Sequence, residues 1–178
     1  EYRDAKLLLF ANHPRVAIAN LDDPEGRRFL SFPAERHYGF SIAASSTRRV
    51  QIQTTLRVIP ATTELQAKIL KRTSSGSKIR VTTNASETDL TIPIPGDFNV
   101  QNALGAIAVG FGLDLPAQTI VKGIKAMTAV PGRMERIDKG QPFQVIVDYA
   151  HTPDSLKRVF ELLKPTVKGR LIHVGGAT

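Results

Sequence analysis

The sequence contains no cysteine and no tryptophan, and only three tyrosines occur among its 178 residues. The lack of cysteine excludes disulfides and thiolate metal sites. No apolar run reaches the roughly 18 residues of a membrane-spanning helix, and the first residues lack the basic and then apolar layout of a signal peptide. Because 42% of the residues are hydrophobic and 22% are charged, we expect a globular, cytoplasmic protein.

The sequence has few acidic residues: 24 basic residues outnumber 16 acidic ones, which gives a formal net charge of +8. Such an excess attracts nucleic acids, anionic membranes or phosphorylated small molecules, although a solvated surface is the simpler interpretation. The basic residues are spread in pairs such as Arg27-Arg28 and Lys71-Arg72, and few aromatic residues are available for base stacking. We therefore expect no nucleic-acid partner and no membrane insertion.

The first half of the chain predicts mixed helix and strand. Apolar spacing indicates a helix over residues 1–13, a short strand over 16–19 and a helix from Glu25 to about Leu30. Residues 37–95 carry short runs rich in Val, Ile, Leu and Thr that are separated by turn segments, which predicts an antiparallel meander. The runs are Gln51–Ile59, Leu65–Arg72, Lys78–Thr83 and Leu90–Ile94.

Residues 98–127 are expected to form two helices. Apolar residues recur there at i, i+3, i+4 and i+7, and a second amphipathic segment follows Pro116. Gly105, Gly110 and Gly112 weaken the first helix by about 1 kcal/mol each, relative to alanine, if they are interior. Close packing against a sheet would account for Gly105.

The Pro131-Gly132 pair interrupts this pattern, and we place a domain boundary there, between residues 1–131 and 132–178. A strand, a helix and a strand are predicted beyond it, at Gln144–Val147, Pro153–Leu163 and Leu171–Val174. This order predicts a right-handed parallel crossover.

Asn99 and Asn102 are the first candidate site residues. They lie three residues apart where a helix is expected to begin, so their side chains can share one face. A carboxamide offers a donor and an acceptor together, which matches the adjacent amino group and ring nitrogen of adenine. The alternative is that Asn99 or Asp97 only caps the helix.

Arg133 stands in the segment Pro131-Gly132-Arg133-Met134-Glu135-Arg136, at the predicted domain junction. Its permanently charged, bidentate guanidinium suits a phosphate group. The alternative is an ordinary surface arginine that follows a turn.

Asp148 and His151 follow the strand that ends at Val147, at the edge where open sheets bind ligands. A carboxylate there can accept hydrogen bonds from ribose hydroxyls. The next residues, Thr152-Pro153-Asp154, are typical of a helix start, and we assign them to capping alone.

Tyr2 and Lys6 form an i, i+4 pair on the first predicted helix. The pair by itself is typical of a solvated helix face. Neither a Walker phosphate loop nor a Gly-x-Gly-x-x-Gly fingerprint occurs in the sequence.

Taken together, these segments resemble the Mur ligase family, the ATP-dependent amide-forming enzymes of peptidoglycan synthesis. The resemblance rests on Gly-Asp-Phe-Asn-Val-Gln-Asn-Ala-Leu-Gly-Ala, Val-Pro-Gly-Arg-Met-Glu-Arg and Val-Asp-Tyr-Ala-His-Thr-Pro-Asp-Ser-Leu. It is closest to the MurE type, which adds diaminopimelate or lysine to UDP-MurNAc-L-Ala-D-Glu. It is strong over 94–174 and weak over 31–93.

The resemblance implies an α/β fold. Residues 1–131 would be the back part of the central ATP-binding domain, with a mixed sheet of antiparallel strands and helices. Residues 132–178 would be the first part of the C-terminal Rossmann-like parallel α/β domain.

The resemblance also implies residue roles around ATP. Asn99 and Asn102 would lie near the adenine, Asp148 would bind the ribose, and Arg133 would reach the terminal phosphate. His151 is typical of the motif and would lie near the nucleotide.

On the first helix, Lys6 would match the family lysine that carbon dioxide carbamylates, and Tyr2 the tyrosine one turn earlier. A carbamate turns a cation into an oxygen anion, which is a suitable ligand for Mg²⁺. The anionic phosphates of ATP and of the UDP-linked substrate would also account for part of the net positive charge.

The family mechanism forms an acyl phosphate on the substrate's D-Glu carboxylate, which an incoming amine then attacks. The UDP-sugar-binding domain, the phosphate loop and the motif that selects the amino acid would all lie outside this sequence. We therefore expect a fragment that is inactive alone. Alternatives are a sister ligase of the cyanophycin or folylpolyglutamate synthetase type, or a non-catalytic nucleotide-binding module.

Overall fold

A computed structural model describes residues 2–42, 62–73, 75–127 and 129–176. The chain divides into two compact units, Glu1–Thr128 and Ala129–Thr178. No helix in the described parts is long and apolar enough to cross a membrane.

The first unit is built on a five-stranded mixed sheet whose spatial order follows the chain. Its strands are β1 (Val16–Asn20), β2 (Arg36–Ile42), β3 (Thr62–Thr73), β4 (Gly76–Thr82) and β5 (Glu87–Ile92). Its helices are α1 (Tyr2–Ala11), α2 (Gly26–Leu30), α3 (Asp97–Gly112) and α4 (Ala117–Ala126). The predicted helices, and the α/β class as a whole, are confirmed.

The core of this unit lies between the sheet and α3. Leu65 and Ile79 from neighbouring strands pack there with Val100 and Leu104 of the helix, and each of these side chains is fully buried. Burial of an aliphatic side chain contributes about 1.5–3 kcal/mol. The apolar face of α3 that the sequence predicts is therefore the face that covers the sheet.

The prediction of an antiparallel meander over residues 37–95 is only partly right. Strands β3, β4 and β5 do pair antiparallel, but β2 pairs parallel with both β1 and β3. None of the four predicted runs covers β2, in which His37, Tyr38 and Gly39 are buried consecutively and the alternation of a half-exposed strand is lost. The predicted strand Gln51–Ile59 lies outside the described residues.

The glycines of α3 pack differently from the prediction. A Cβ at Gly105 would meet only the ring of Phe40, at an ordinary contact distance of 3.5 Å. A Cβ at Gly110 or Gly112 would lie 2.8 Å from a side-chain carbon, of Ile120 and Val16 respectively. The close approach that was expected at Gly105 therefore occurs one to two turns later, against α4 and β1.

The second unit holds the short antiparallel pair β6 (Glu135–Ile137) and β7 (Val145–Val147), followed by α5 (Pro153–Leu163). The bounds of α5 match the prediction. Thr152 and Ser155 form a capping box at its start, which confirms that Thr152 acts as the cap.

The predicted parallel crossover is not formed among the described residues of this unit. Leu171–Val174 has no strand assignment, and Ile172 and Val174 are 71% and 92% exposed. An apolar run becomes a strand only when a neighbouring strand satisfies its main-chain groups. The structure instead pairs β7 with β6, a strand of three residues that the sequence did not reveal.

Candidate functional site

The start of α3 places Asn99 and Asn102 side by side. The helix begins at Asp97 after Gly96, whose φ of 103° is accessible mainly to glycine. Neither Asn99 nor Asp97 is the N-cap, so the capping alternative is wrong for both. Asp97 instead accepts two hydrogen bonds of 2.8 Å from the guanidinium of Arg72, and this interaction raises the pKa of Arg72.

The two asparagine amides form a short chain of hydrogen bonds. Asn99 is buried, and its Nδ2 donates to the carbonyl of Pro95 at 2.8 Å. The exposed Asn102 donates from Nδ2 to Oδ1 of Asn99 at 3.3 Å. The Oδ1 of Asn102 accepts nothing from the residues that the structure describes, so an acceptor and an adjacent N–H of Asn102 are available for a ligand.

Asp22 lies just after β1, at the carboxyl end of the strand, and the sequence analysis did not predict a structural role for it. Its Oδ2 accepts hydrogen bonds from the main-chain N–H of Ile42 at 2.9 Å and from Nε2 of Gln101 at 3.1 Å. The carboxylate thus connects the carboxyl ends of β1 and β2 to Gln101 of α3. Its position just after a parallel strand was the available signal.

Asp148 is engaged by main-chain groups on both carboxylate oxygens. Oδ2 accepts from the N–H of Met134 and Oδ1 accepts from the N–H of Ala150, each at 2.8 Å. Each oxygen retains a second lone pair for a further donor such as a hydroxyl. Asp148 therefore holds two segments of the second unit together and can still accept from a ligand.

Arg133 lies in the turn that Asp148 clamps. Its side chain is exposed, and its Cζ lies 5.8 Å from the centre of the Tyr149 ring. His151 makes an edge-to-face contact with the same ring, at 5.1 Å between centres, and its Nδ1 lies 2.9 Å from the carbonyl of Tyr149. The second unit thus brings Arg133, Asp148 and His151 together around Tyr149, which the sequence reasoning did not treat as a site residue.

Tyr2 and Lys6 meet on α1, as their spacing predicts. The Nζ of Lys6 lies 5.1 Å from the centre of the Tyr2 ring, and both side chains are exposed. The helix packs against α2.

Across 2–42, 62–73, 75–127 and 129–176, no group of three or more His, Asp or Glu side chains could hold a metal ion. A groove of about 640 Å³ opens beside α4, lined by Thr88, Val121, Lys122 and neighbouring residues, but it includes none of the candidate residues.

Comparison with known families decides what these segments belong to. The model of the Mur ligase middle domain matches residues 1–110, and that of the Mur ligase glutamate ligase domain matches residues 132–178. The chain belongs to the Mur ligase family. The resemblance stated from the motifs is therefore confirmed.

Two curated relatives show which members of the family the chain resembles. The chain is 34% identical to a UDP-N-acetylmuramoyl-L-alanyl-D-glutamate--2,6-diaminopimelate ligase of Bacillus licheniformis, over 99% of this chain and 34% of the relative. It is also 34% identical to a UDP-N-acetylmuramyl-tripeptide synthetase of a Roseiflexus strain, over 92% of this chain and 29% of the relative. The chain thus spans about a third of the length of these Mur ligase relatives.

A solved structure shares the fold. The crystal structure of MurF from Acinetobacter baumannii superposes with a TM-score of 0.68 at 22% identity, over 92% of this chain and 32% of that one. At that level of identity the likeness concerns the Mur ligase fold alone.

Proposed function

We propose that the chain is part of a cytoplasmic, ATP-dependent ligase of peptidoglycan synthesis. The reaction would join diaminopimelate or lysine to UDP-MurNAc-L-Ala-D-Glu, with the D-Glu carboxylate activated as an acyl phosphate. The observation that carries the proposal is the 34% identity, over 99% of the chain, to a relative named for the diaminopimelate reaction. The family-model ranges support a boundary close to the predicted one, between 1–131 and 132–178.

Asn99 and Asn102 are proposed to bind the adenine base. Their hydrogen-bond chain ends on the exposed amide of Asn102, where Oδ1 is available to accept from the exocyclic amino group of adenine. An N–H beside it would donate to the adjacent ring nitrogen. Asn99 is buried and donates a hydrogen bond to Pro95, so its own position is restricted. The hydrogen bond from Asn102 to Asn99 therefore orients the amide of Asn102.

Asp148 is proposed to bind the ribose through the lone pairs that its main-chain bonds leave free. The bonds to Met134 and Ala150 hold the carboxylate in place before any ligand arrives. His151 is proposed to lie near the same nucleotide, on the loop that Asp148 orders.

Arg133 is proposed to contact the terminal phosphate of ATP. In phosphoryl transfer, charge spreads over the oxygens of the moving group, and a positioned guanidinium stabilises that charge. The exposed side chain of Arg133 forms no salt bridge with a described carboxylate. Its charge is therefore available for such a contact.

Lys6 is proposed as the site of a carbamate that would serve Mg²⁺, with Tyr2 beside it. In the structure, the Nζ of Lys6 lies 5.1 Å from the centre of the Tyr2 ring, whose face attracts cations. Among the described residues, no group of three or more His, Asp or Glu side chains could hold the metal ion.

The test is a phosphate-release assay on the full-length product of the gene that encodes this chain. The enzyme is given ATP and UDP-MurNAc-L-Ala-D-Glu, with either meso-diaminopimelate or L-lysine. Release that depends on one amino acid would establish the ligase and its substrate. Release with neither, from a folded protein, would favour a sister ligase or a non-catalytic module, and the chain of 178 residues alone is expected to release none.

Variants of the same enzyme separate the residue roles. Asp148→Asn should mainly raise the KM for ATP, and Arg133→Ala should mainly lower kcat. Lys6→Ala should remove most activity, with partial rescue by small carboxylates. An unchanged KM in Asp148→Asn, or full activity in Lys6→Ala, would contradict the corresponding role.

A further inference from the structure

The turn that carries Arg133 is fastened to the segment that carries Tyr149. The N–H of Tyr149 donates to the carbonyl of Gly132 at 2.8 Å, and the N–H of Met134 donates to Asp148. These two bonds lie on either side of Arg133 and join it to the two residues 148 and 149. The main chain of Arg133 is thereby held close to the main chain of Tyr149.

The backbone on both sides of Arg133 is also unusual. Gly132 has a φ of 67° and Met134 has a φ of 50°, so two left-handed residues flank the arginine. Such a conformation is costly for a non-glycine residue such as Met134 and persists only where its surroundings enforce it. The buried side chain of Met134 and its bond to Asp148 supply that enforcement.

The carboxylates of Glu135 and Asp148, close to Arg133, accept hydrogen bonds from main-chain groups. Oε2 of Glu135 accepts from the N–H of Gly132 at 2.8 Å, and both oxygens of Asp148 accept from main-chain N–H groups. The partner that the structure shows for the guanidinium is the aromatic ring of Tyr149, whose side chain is 68% exposed.

From this arrangement we propose that Tyr149 is a positioning residue, which holds the guanidinium of Arg133 ready for an anionic group. The proposal deepens the proposed function and rests on it for the identity of that group, the terminal phosphate of ATP. An aromatic ring suits the task because it attracts the cation without neutralising it. A carboxylate in the same place would occupy the N–H donors that bind phosphate.

The first measurement concerns the position of Arg133 and needs no catalysis. In NMR spectra of this chain with labelled arginine, the ring current of Tyr149 should displace the side-chain signals of Arg133. Tyr149→Phe keeps the ring and should keep the displacement, whereas Tyr149→Leu should abolish it. Phe143→Ala is the matched control, because Phe143 is also an exposed aromatic residue of the second unit, at 65% exposure.

The second measurement concerns the consequence for phosphate and uses the full-length enzyme. Tyr149→Leu should lower kcat by about two- to five-fold, in line with an exposed cation–π contact, with a smaller change in the KM for ATP. Tyr149→Phe should restore the rate. In an Arg133→Ala background, Tyr149→Leu should have no further effect, because the ring acts through the arginine.

The outcomes separate this inference from the proposed function. Identical Arg133 signals in the wild type and Tyr149→Leu would overturn the positioning role, even in an active ligase. So would equal rate losses from Tyr149→Leu and Phe143→Ala, or an undiminished effect of Tyr149→Leu in the Arg133→Ala background. Displaced signals together with no phosphate release by the full-length wild type would overturn the proposed function while supporting the placement of Arg133 by Tyr149.

Discussion

At the scale of single residues, the candidate side chains have structural contacts in addition to the ligand roles that we propose for them. Asp148 is the clearest example, since it accepts two main-chain hydrogen bonds and still retains lone pairs for the ribose that we propose it binds. A loss of activity in its variants therefore combines two effects. Hydrogen exchange at Met134 and Ala150 would report the structural effect separately.

The two asparagines of α3 should differ in their effect on stability. Asn99→Ala leaves the carbonyl of Pro95 and the amide of Asn102 without their partner, so it should lower the free energy of unfolding by about 1–3 kcal/mol. Asn102→Ala removes one donor, the one to Oδ1 of Asn99, and should lower that free energy by a smaller amount, about 0.5–1.5 kcal/mol. Urea unfolding of this chain measures both, and equal losses would contradict the arrangement described.

At the scale of secondary-structure elements, the contacts of α3 decide which glycines can change. Gly112→Ala would place a Cβ 2.8 Å from Cγ1 of Val16, a stiff β-branched side chain. Overpacking of this kind should lower the free energy of unfolding by about 1–3 kcal/mol.

Gly105→Ala is the matched control on the same helix. Its Cβ would meet the Phe40 ring at an ordinary distance, so the gain in helix propensity should stabilise the chain by up to about 1 kcal/mol. Thermal unfolding of the two variants compares them directly. If Gly105→Ala lowered the free energy of unfolding as much as Gly112→Ala, the loss in Gly112→Ala could not be assigned to its contact with Val16.

An exposed ion pair joins the start of β2 to the end of α3. Arg36 donates from Nη2 to Oδ2 of Asp114 at 3.2 Å and to the carbonyl of Gly112 at 2.7 Å. The hydrogen bond from Arg36 holds the pKa of Asp114 below its ordinary value of 3.8. A lowered pKa in the folded state means that the pair stabilises the fold above that ordinary value, and that this contribution is lost as the pH falls through the lowered pKa.

We therefore expect Asp114→Asn to be less stable than the wild type from neutral pH down to about pH 4, and the difference to vanish in stronger acid. Urea midpoints measured at several pH values test this expectation. Because the pair is exposed, added salt should reduce the difference at neutral pH. A gap between the two proteins that widens in acid would contradict the assignment.

At the scale of the whole molecule, the two units differ in how much of their own core they contain. The first unit buries side chains from all five strands and from α3 and α4. In the described part of the second unit, Met134 is the one hydrophobic residue that is buried, and α5 contains no buried residue. Local stability follows buried apolar contacts, so the units should not open together.

Native-state hydrogen exchange should show this difference. Amides of β3 and β4 should exchange only through global unfolding, whereas those of α5 should exchange through a local opening of much lower free energy. Thr152→Ala removes the cap of α5 and should speed exchange in α5, equivalent to about 1 kcal/mol, without affecting β3 or β4. Equal protection in the two units would contradict the prediction.

The sequence by itself determined the features that depend on near neighbours along the chain. Helix periodicity placed α3 and α5, the Thr152-Pro153 signal placed the start of α5, and the spacing of Asn99 and Asn102 put their amides in contact. Each of these rests on residues within about one helical turn of each other, which the backbone geometry brings together. The family motifs, read as a set, were also sufficient to identify the Mur ligase family.

Only the tertiary structure decided the features whose partners are far apart in the chain. These are the parallel pairing of β2, the pairing of β6 with β7, the contact of Gly112 with Val16, and the ring of Tyr149 beside Arg133. No local sequence pattern predicts which distant residue a main-chain N–H or an aromatic ring will contact, because that contact depends on how the whole chain folds. The positioning role that we propose for Tyr149 rests on such partners, because the turn of Arg133 is hydrogen-bonded to residues 148 and 149.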